Sequence, residues 1–212
     1  MEKNNNFFNK DRGVNIDLCN RCPLECPRCR RQYGFKNRGL KVSGNDLSME
    51  NFKKVLKFFK YINFEGTLSD PVHHQSFIEL LKMCYIFKKE LEIHTSSSSK
   101  SKEWYIEAFK ANPYALWVFS IDGLPEESKI YRINQDGPKL FDIMAESTKY
   151  LITKPAWQYI IFRYNENSID AAIALAKEIG VNFYTMKSSR WFGNDDWLMP
   201  TKPEFRVKPF NE

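Results

Sequence analysis

Val14-Asn15-Ile16-Asp17-Leu18-Cys19-Asn20-Arg21-Cys22-Pro23-Leu24-Glu25-Cys26-Pro27-Arg28-Cys29 is a strand-like run that passes at once into a group of cysteines. Val14–Leu18 supplies the β-branched and apolar residues of a predicted strand. Four of the chain's five cysteines then fall within eleven residues. A disulfide framework would spread them along the chain and belongs in an oxidising compartment. Four thiols gathered at one strand end point instead to a metal.

Outward from this stretch, strand-like and helix-like segments alternate with short breaks. Further strands are predicted at Tyr61–Phe64, Leu91–His94, Trp117–Ile121, Trp157–Phe162 and Asn182–Met186. Phe52, Val55, Leu56 and Phe59 share one helical face, with Ser48 placed to cap it. Phe77, Leu80, Leu81 and Cys84 repeat that spacing, as do Leu140, Ile143, Met144, Ser147 and Leu151. Ile169, Ala172, Ile173, Ala176 and Ile179 form the clearest stripe, ended by Gly180.

About six βα units imply a parallel sheet covered by helices, short of the eight that close a full barrel. The expected fold is α/β, a partial (βα)6 TIM-like barrel with mostly parallel strands; a doubly wound sheet is the alternative. In either fold, ligands gather at the C-terminal ends of the strands. The expected division is a flexible N-terminal segment at 1–12, a barrel domain at 13–190 and a tail at 191–212 packing on the barrel. That tail holds Trp191, Trp197, Pro200, Pro203 and Pro209 without a clear period.

A chain of 212 residues with 42% hydrophobic and 15% aromatic content suits one globular domain. No apolar run approaches the roughly 20 residues that span a bilayer. Met1–Lys10 is polar and Asn-rich, without the apolar core of a secretory signal, so a cytoplasmic protein is expected. The net charge of +6 is scattered in pairs such as Arg30–Arg31, Lys53–Lys54 and Lys88–Lys89. That pattern reads as a solvated surface rather than a nucleic-acid groove. It would also steer an acidic electron-donor protein.

Two metal arrangements compete for the cysteines. Structural zinc is usually closed by two CxxC knuckles on a longer loop, but only three residues separate Cys22 from Cys26. The other arrangement is CxxxCxxC at Cys22, Cys26 and Cys29, three thiolates on one short loop. Cys19 falls at the end of the predicted strand and reads as a small buried residue, as does Cys84 on its apolar stripe.

At these residues the chain resembles the radical S-adenosylmethionine superfamily, whose cluster loop is CxxxCxxC directly after the first barrel strand. The resemblance covers roughly residues 13 to 190. Phe64-Glu65-Gly66-Thr67-Leu68-Ser69-Asp70-Pro71-Val72-His73-His74 is similar to the superfamily's glycine-rich turn, with Ser69 for its second glycine. Thr95-Ser96-Ser97-Ser98 stands where the family has a T-N-G type turn, and His94 before it is read as structural. Ser120-Ile121-Asp122-Gly123, followed by Tyr131-Arg132, matches an S-x-D-G strand with its later Y-R pair. Alternation puts Ser120 and Asp122 on one face of that strand. Arg28 replaces an aromatic residue common before the third cysteine, and Cys19 replaces a threonine.

The resemblance implies a [4Fe-4S] cluster on Cys22, Cys26 and Cys29 with one iron left open, and S-adenosylmethionine as the second cofactor. It implies that the turn of Gly66, Thr67, Ser69 and Asp70 meets the amino group. Thr95 and Ser96 would line the cofactor, and Ser120 and Asp122 would meet its ribose and methionine parts. Arg132 and Arg163 would take a carboxylate, and Met186 would face the adenine or the substrate. The implied reaction is reductive cleavage of S-adenosylmethionine to a 5′-deoxyadenosyl radical, which abstracts hydrogen from a substrate. A flavodoxin or ferredoxin would supply the electron. No cysteine follows Cys84, so a single cluster is expected, and a peptide or protein side chain is the favoured substrate. The rival from another class is a zinc-stabilised cysteine-cluster module that binds RNA or protein.

Overall fold

A computed structural model describes residues 13–193 and 195–207. The expected N-terminal segment 1–12 lies outside the described residues. Six strands form one sheet: β1 (Gly13–Asn15), β2 (Tyr61–Phe64), β3 (Glu90–Thr95), β4 (Leu116–Ser120), β5 (Ala156–Ile161) and β6 (Asn182–Lys187). Each strand pairs in parallel with the next in sequence, so the sheet order is β1-β2-β3-β4-β5-β6. A doubly wound sheet reverses direction part-way along its order; this one never does. The fold is an α/β partial barrel, left open between β1 and β6.

The helices are α1 (Arg30–Arg38), α2 (Met49–Phe58), α3 (Phe77–Ile86), α4 (Lys102–Ala111), α5 (Gly137–Ser147) and α6 (Ile169–Glu178). Ser48 caps α2 by accepting from Asn51 N, and Ser101 caps α4 through Trp104 N. Asp136 does the same for α5 through Lys139 N. Gly180 follows α6 at φ +77°, the left-handed conformation that lets a helix stop.

Alternation along the strands sorts the two faces. Ile62, Phe64, Leu91, Ile93, Trp117, Phe119, Trp157, Tyr159 and Ile161 point outward into the core beneath the helices. Phe77 from α3 and Tyr105 and Phe109 from α4 meet Trp117 there at ring distances of 5.0–6.0 Å. The intervening residues face the concave interior.

Three elements depart from the sequence-based expectation. The regular part of β1 ends at Asn15; Ile16 N still reaches Asn63 O at 2.8 Å, after which Asp17 bonds to Ser69 and Leu68 and the chain turns away. In α6 only Ala172 and Ala176 of the predicted stripe are buried, and Ile173 is 47% exposed. Two small residues let the helix lie close to the sheet, which narrows the covered face. The helix α1 shows no apolar stripe because none of its residues is buried.

Candidate active site at the mouth of the barrel

The loop leaving β1 carries the cysteines over the C-terminal ends of the strands. Cys22, Cys26 and Cys29 all join one apolar group with Leu24, Tyr131, Ile160, Phe162 and Leu198. Ile160 and Phe162 come from the end of β5, so one short loop meets the opposite side of the barrel. Backbone contacts hold the loop: Glu25 N donates to Ile133 O at 3.1 Å and Cys29 N to Cys26 O at 3.1 Å. Arg31 Nη1 donates to Cys22 O at 2.5 Å, and Asn134 Nδ2 to Pro23 O at 3.1 Å.

Cys19 stands apart. Its thiol donates to Asp70 O at 3.5 Å and to Arg21 O at 3.7 Å, bonds a thiolate could not make. Cys84 lies in the helix-packed core.

Burial pushes the Cys22 thiol up to about 12, with the Asp70 charge adding to it, and Cys26 up to about 11. At neutral pH both stay protonated unless a strongly positive partner draws the proton off. An iron–sulfur cluster is held by cysteine thiolates. Three thiols on one loop, in apolar surroundings and without a disulfide, fit such a cluster.

The turn after β2 is shaped by Gly66. A Cβ there would lie 1.8 Å from Ser69 O, so only glycine permits the fold-back. Ser69 Oγ donates to Asp17 Oδ1 at 2.8 Å, tying the turn to the chain after β1. Asp70 is buried, and its carboxylate accepts from Val72 N, Thr95 Oγ1 and Ser96 N at 2.8–3.3 Å. Burial raises its pKa, against the pull of these donors. The side chain of Asp70 therefore joins the ends of β2 and β3.

The series continues across the mouth. Arg132 Nη1 donates to Ser96 Oγ at 2.6 Å, and its Nε lies 2.8 Å from Asp122 Oδ2. Asp122 Oδ1 accepts Ile160 N at 2.8 Å, from β5. Asp70, Thr95, Ser96, Arg132 and Asp122, each singled out by sequence, thus form one connected network over β2 to β5. Burial alone would lower the Arg132 pKa, but the Asp122 charge beside it raises it and keeps the guanidinium charged. In the structure the carboxylate that Arg132 pairs with is that of Asp122. Ser120 is buried at the end of β4, where its carbonyl accepts Gln135 Nε2 at 3.0 Å.

Arg163 Nε donates to Met199 O at 2.9 Å and its N to Leu198 O at 3.1 Å, which ties the end of β5 to the segment around Leu198. Met186 is 42% exposed on the open edge strand. Thr67 lies in the wall of a cavity of about 700 Å³ beside the cysteine loop, with Arg28, Tyr33, Arg190 and Trp191.

Two contributors were not evident from sequence. Arg28 pairs with Asp196 at 2.7 Å and lies 4.5 Å from the Phe192 ring centre, joining the cysteine loop to the tail. Arg190 Nη1 donates to Tyr131 Oη at 3.0 Å. The tail has no periodicity, so no local pattern could mark either contact.

No protein-family model and no curated protein matches the chain. Solved structures do. SuiB of Streptococcus suis bound to S-adenosylmethionine superposes with a TM-score of 0.68 at 14% identity, covering 90% of this chain and 43% of SuiB. The anSMEcpe structure with bound AdoMet gives 0.63 at 16% identity, over 91% of this chain and 54% of that one. Methylornithine synthase (PylB) gives 0.55 at 13% identity, over 82% and 52%. The fold is shared. The chain spans about two-fifths of SuiB and about half of the other two.

Proposed function

We propose that this chain is a radical S-adenosylmethionine enzyme with a single [4Fe-4S] cluster held by Cys22, Cys26 and Cys29. The observation that carries this reading is the meeting of those three thiols in one apolar group at the C-terminal mouth of an open parallel barrel, with Cys19 turned away. Likeness of fold to two structures solved with S-adenosylmethionine or AdoMet supports the second cofactor. When both are bound, they supply reductive cleavage of the sulfonium to a 5′-deoxyadenosyl radical that abstracts hydrogen from the substrate.

The chain's own residues do the rest. Leu24, Tyr131, Phe162 and Leu198 keep water from the thiols. The Gly66–Asp70 turn would meet the amino group of S-adenosylmethionine. Asp70, Ser96, Arg132 and Asp122 hold the strand ends in fixed relation, so that a ligand across the mouth finds a preorganised surface. Thr67 offers a hydroxyl in the adjoining cavity. A peptide or protein side chain is the proposed substrate, and SuiB, of like fold, has been solved with its precursor peptide SuiA. A flavodoxin or ferredoxin is the proposed electron donor, in the reducing cytoplasm. No helix among the described residues is long and apolar enough to cross a membrane.

The test is anaerobic purification and reconstitution, with iron, sulfide and zinc measured and the visible spectrum recorded. Four irons per chain, a broad visible absorption of an iron–sulfur cluster, and dithionite-dependent release of methionine and 5′-deoxyadenosine are expected. Colourless protein holding one zinc and no iron after reconstitution would overturn the reading and favour a zinc module.

A further inference from the structure

The cavity of about 700 Å³ beside the cysteine loop has the size of a ligand site, for which about 300–1,000 Å³ is usual. Helix α1 forms one wall and the chain after β6 another, while Thr67 and Leu68 reach it from the turn after β2. It therefore joins segments that follow β1 and β6, the two edge strands of the open sheet, to the turn that carries Ser69 and Asp70.

Its charge has one sign. Arg28, Arg30, Arg38 and Arg190 line it, and among the described residues no aspartate or glutamate does. Asp196 answers Arg28 at 2.7 Å, and Arg190 donates to the neutral hydroxyl of Tyr131 at 3.0 Å. Arg30 and Arg38 form no ion pair among the described residues.

The spacing tells which anion fits. Arg30, Tyr33, Gly34 and Arg38 fall on one face of α1. At the helical rise, the two arginines stand about 12 Å apart along the axis. A single phosphate or carboxylate cannot meet both. In an extended peptide, side chains four residues apart lie on one side at about 13 Å, so successive carboxylates of an acidic peptide can. Tyr33 stands between the two arginines in the helix, and Trp191 and Phe192 add rings from the chain after β6.

Gly34 is an independent sign that this space is kept open. A glycine in a helix interior is unfavourable relative to alanine. Yet a Cβ at Gly34 would meet nothing nearer than Leu40 Cβ, at an ordinary 3.9 Å. Packing does not demand glycine there; room in the cavity that it lines does.

We propose that this cavity recognises an acidic peptide segment of the substrate, its carboxylates paired with Arg30, Arg38 and Arg190 and its apolar side chains laid against Tyr33, Trp191 and Phe192. Guanidinium groups suit carboxylates because they bind them through paired N–H donors. That the peptide is the substrate rests on the radical-enzyme reading; the acidic-peptide site itself does not.

The experiment uses the reconstituted chain, whose iron content, visible spectrum and S-adenosylmethionine cleavage are recorded first. Calorimetry then follows the capped heptapeptide Glu-Leu-Glu-Phe-Glu-Leu-Glu, its counterpart with glutamine for glutamate, and inorganic tripolyphosphate. The glutamate peptide should bind saturably, roughly tenfold or more tighter than the glutamine peptide, as a few partly exposed ion pairs allow. Arg30→Gln with Arg38→Gln should remove that preference, whereas the same loss of charge on α2, Lys53→Gln with Lys57→Gln, should keep it. Gly34→Leu should weaken peptide binding without lowering the thermal midpoint.

Equal binding of the two peptides, no saturable binding of the glutamate peptide, or tighter binding of tripolyphosphate would overturn the proposal. So would an equal loss in the α2 variant, or unchanged peptide binding in Gly34→Leu. If the arginine variant binds the peptide as before but is reduced more slowly by flavodoxin, α1 is a donor surface and the proposal fails. An iron-free protein that still selects the acidic peptide would overturn the radical reading alone. A cluster-bearing protein that cleaves S-adenosylmethionine without that selection would overturn the peptide site alone.

Discussion

Arg132 Nε lies 2.8 Å from Asp122 Oδ2, an ion pair enclosed at the barrel mouth with Asp122 fully buried. Asp122 also accepts Ile160 N, and Arg132 also donates to Ser96 Oγ. One pair therefore joins the strand ends on which a cofactor would lie.

Asp122→Leu should lower unfolding stability by about 3–5 kcal/mol, because it strands a buried guanidinium. The double variant Asp122→Leu with Arg132→Met should recover part of that loss. Urea unfolding of the two single variants and the double closes the cycle. Strictly additive losses would show that the two charges are not coupled.

Cys22→Ala should abolish iron binding, whereas Cys19→Thr should keep it. The physical reason is that Cys19 already donates its S–H to Asp70 O, a bond a threonine hydroxyl can also make. Iron and sulfide content after anaerobic reconstitution decides it. Loss of iron in Cys19→Thr would place Cys19 among the ligands.

Gly66→Ala should displace the turn that carries Ser69 and Asp70. Its Cβ would stand 1.8 Å from a backbone oxygen, which no rotamer change can relieve. Overpacking of this kind costs about 1–3 kcal/mol. A fall in the thermal midpoint together with weaker S-adenosylmethionine binding, read by calorimetry, is expected. Unchanged values for both would mean that the backbone relaxes freely.

Asp196 should make the docking of the tail acid-sensitive. Burial opposes its ionisation, but bonds from Leu198 N, Phe192 N and Arg28 outweigh that and hold its pKa below the ordinary 3.8. A folded-state pKa depressed in this way gives stability that is complete above the unfolded value and lost as pH falls through the folded one. The stability gap between the native protein and Asp196→Asn should therefore be constant above pH 3.8 and shrink below it. Urea unfolding followed by tryptophan fluorescence at several pH values measures the gap. A gap that grows on acidification would reverse the sign.

Much of the frame was legible in one dimension. Strand and helix periods, the caps at Ser48 and Gly180, and the CxxxCxxC spacing are local, because each depends on residues a few positions apart. The helix α1 escaped notice because it buries nothing, and Ile173 was misplaced because the period marks a face without saying how wide its covered part is.

The sequence by itself determined the alternation of six strands with helices and the CxxxCxxC spacing of Cys22, Cys26 and Cys29. Only the tertiary structure decided whom the charged side chains meet. Arg132 chose Asp122, Arg28 chose Asp196 far along the chain, and Arg163 turned to the tail. It also decided that, among the described residues, Asn63 Oδ1 meets no donor. Periodicity assigns a residue to a face, whereas partnership depends on how the sheet curves and where distant segments come to rest.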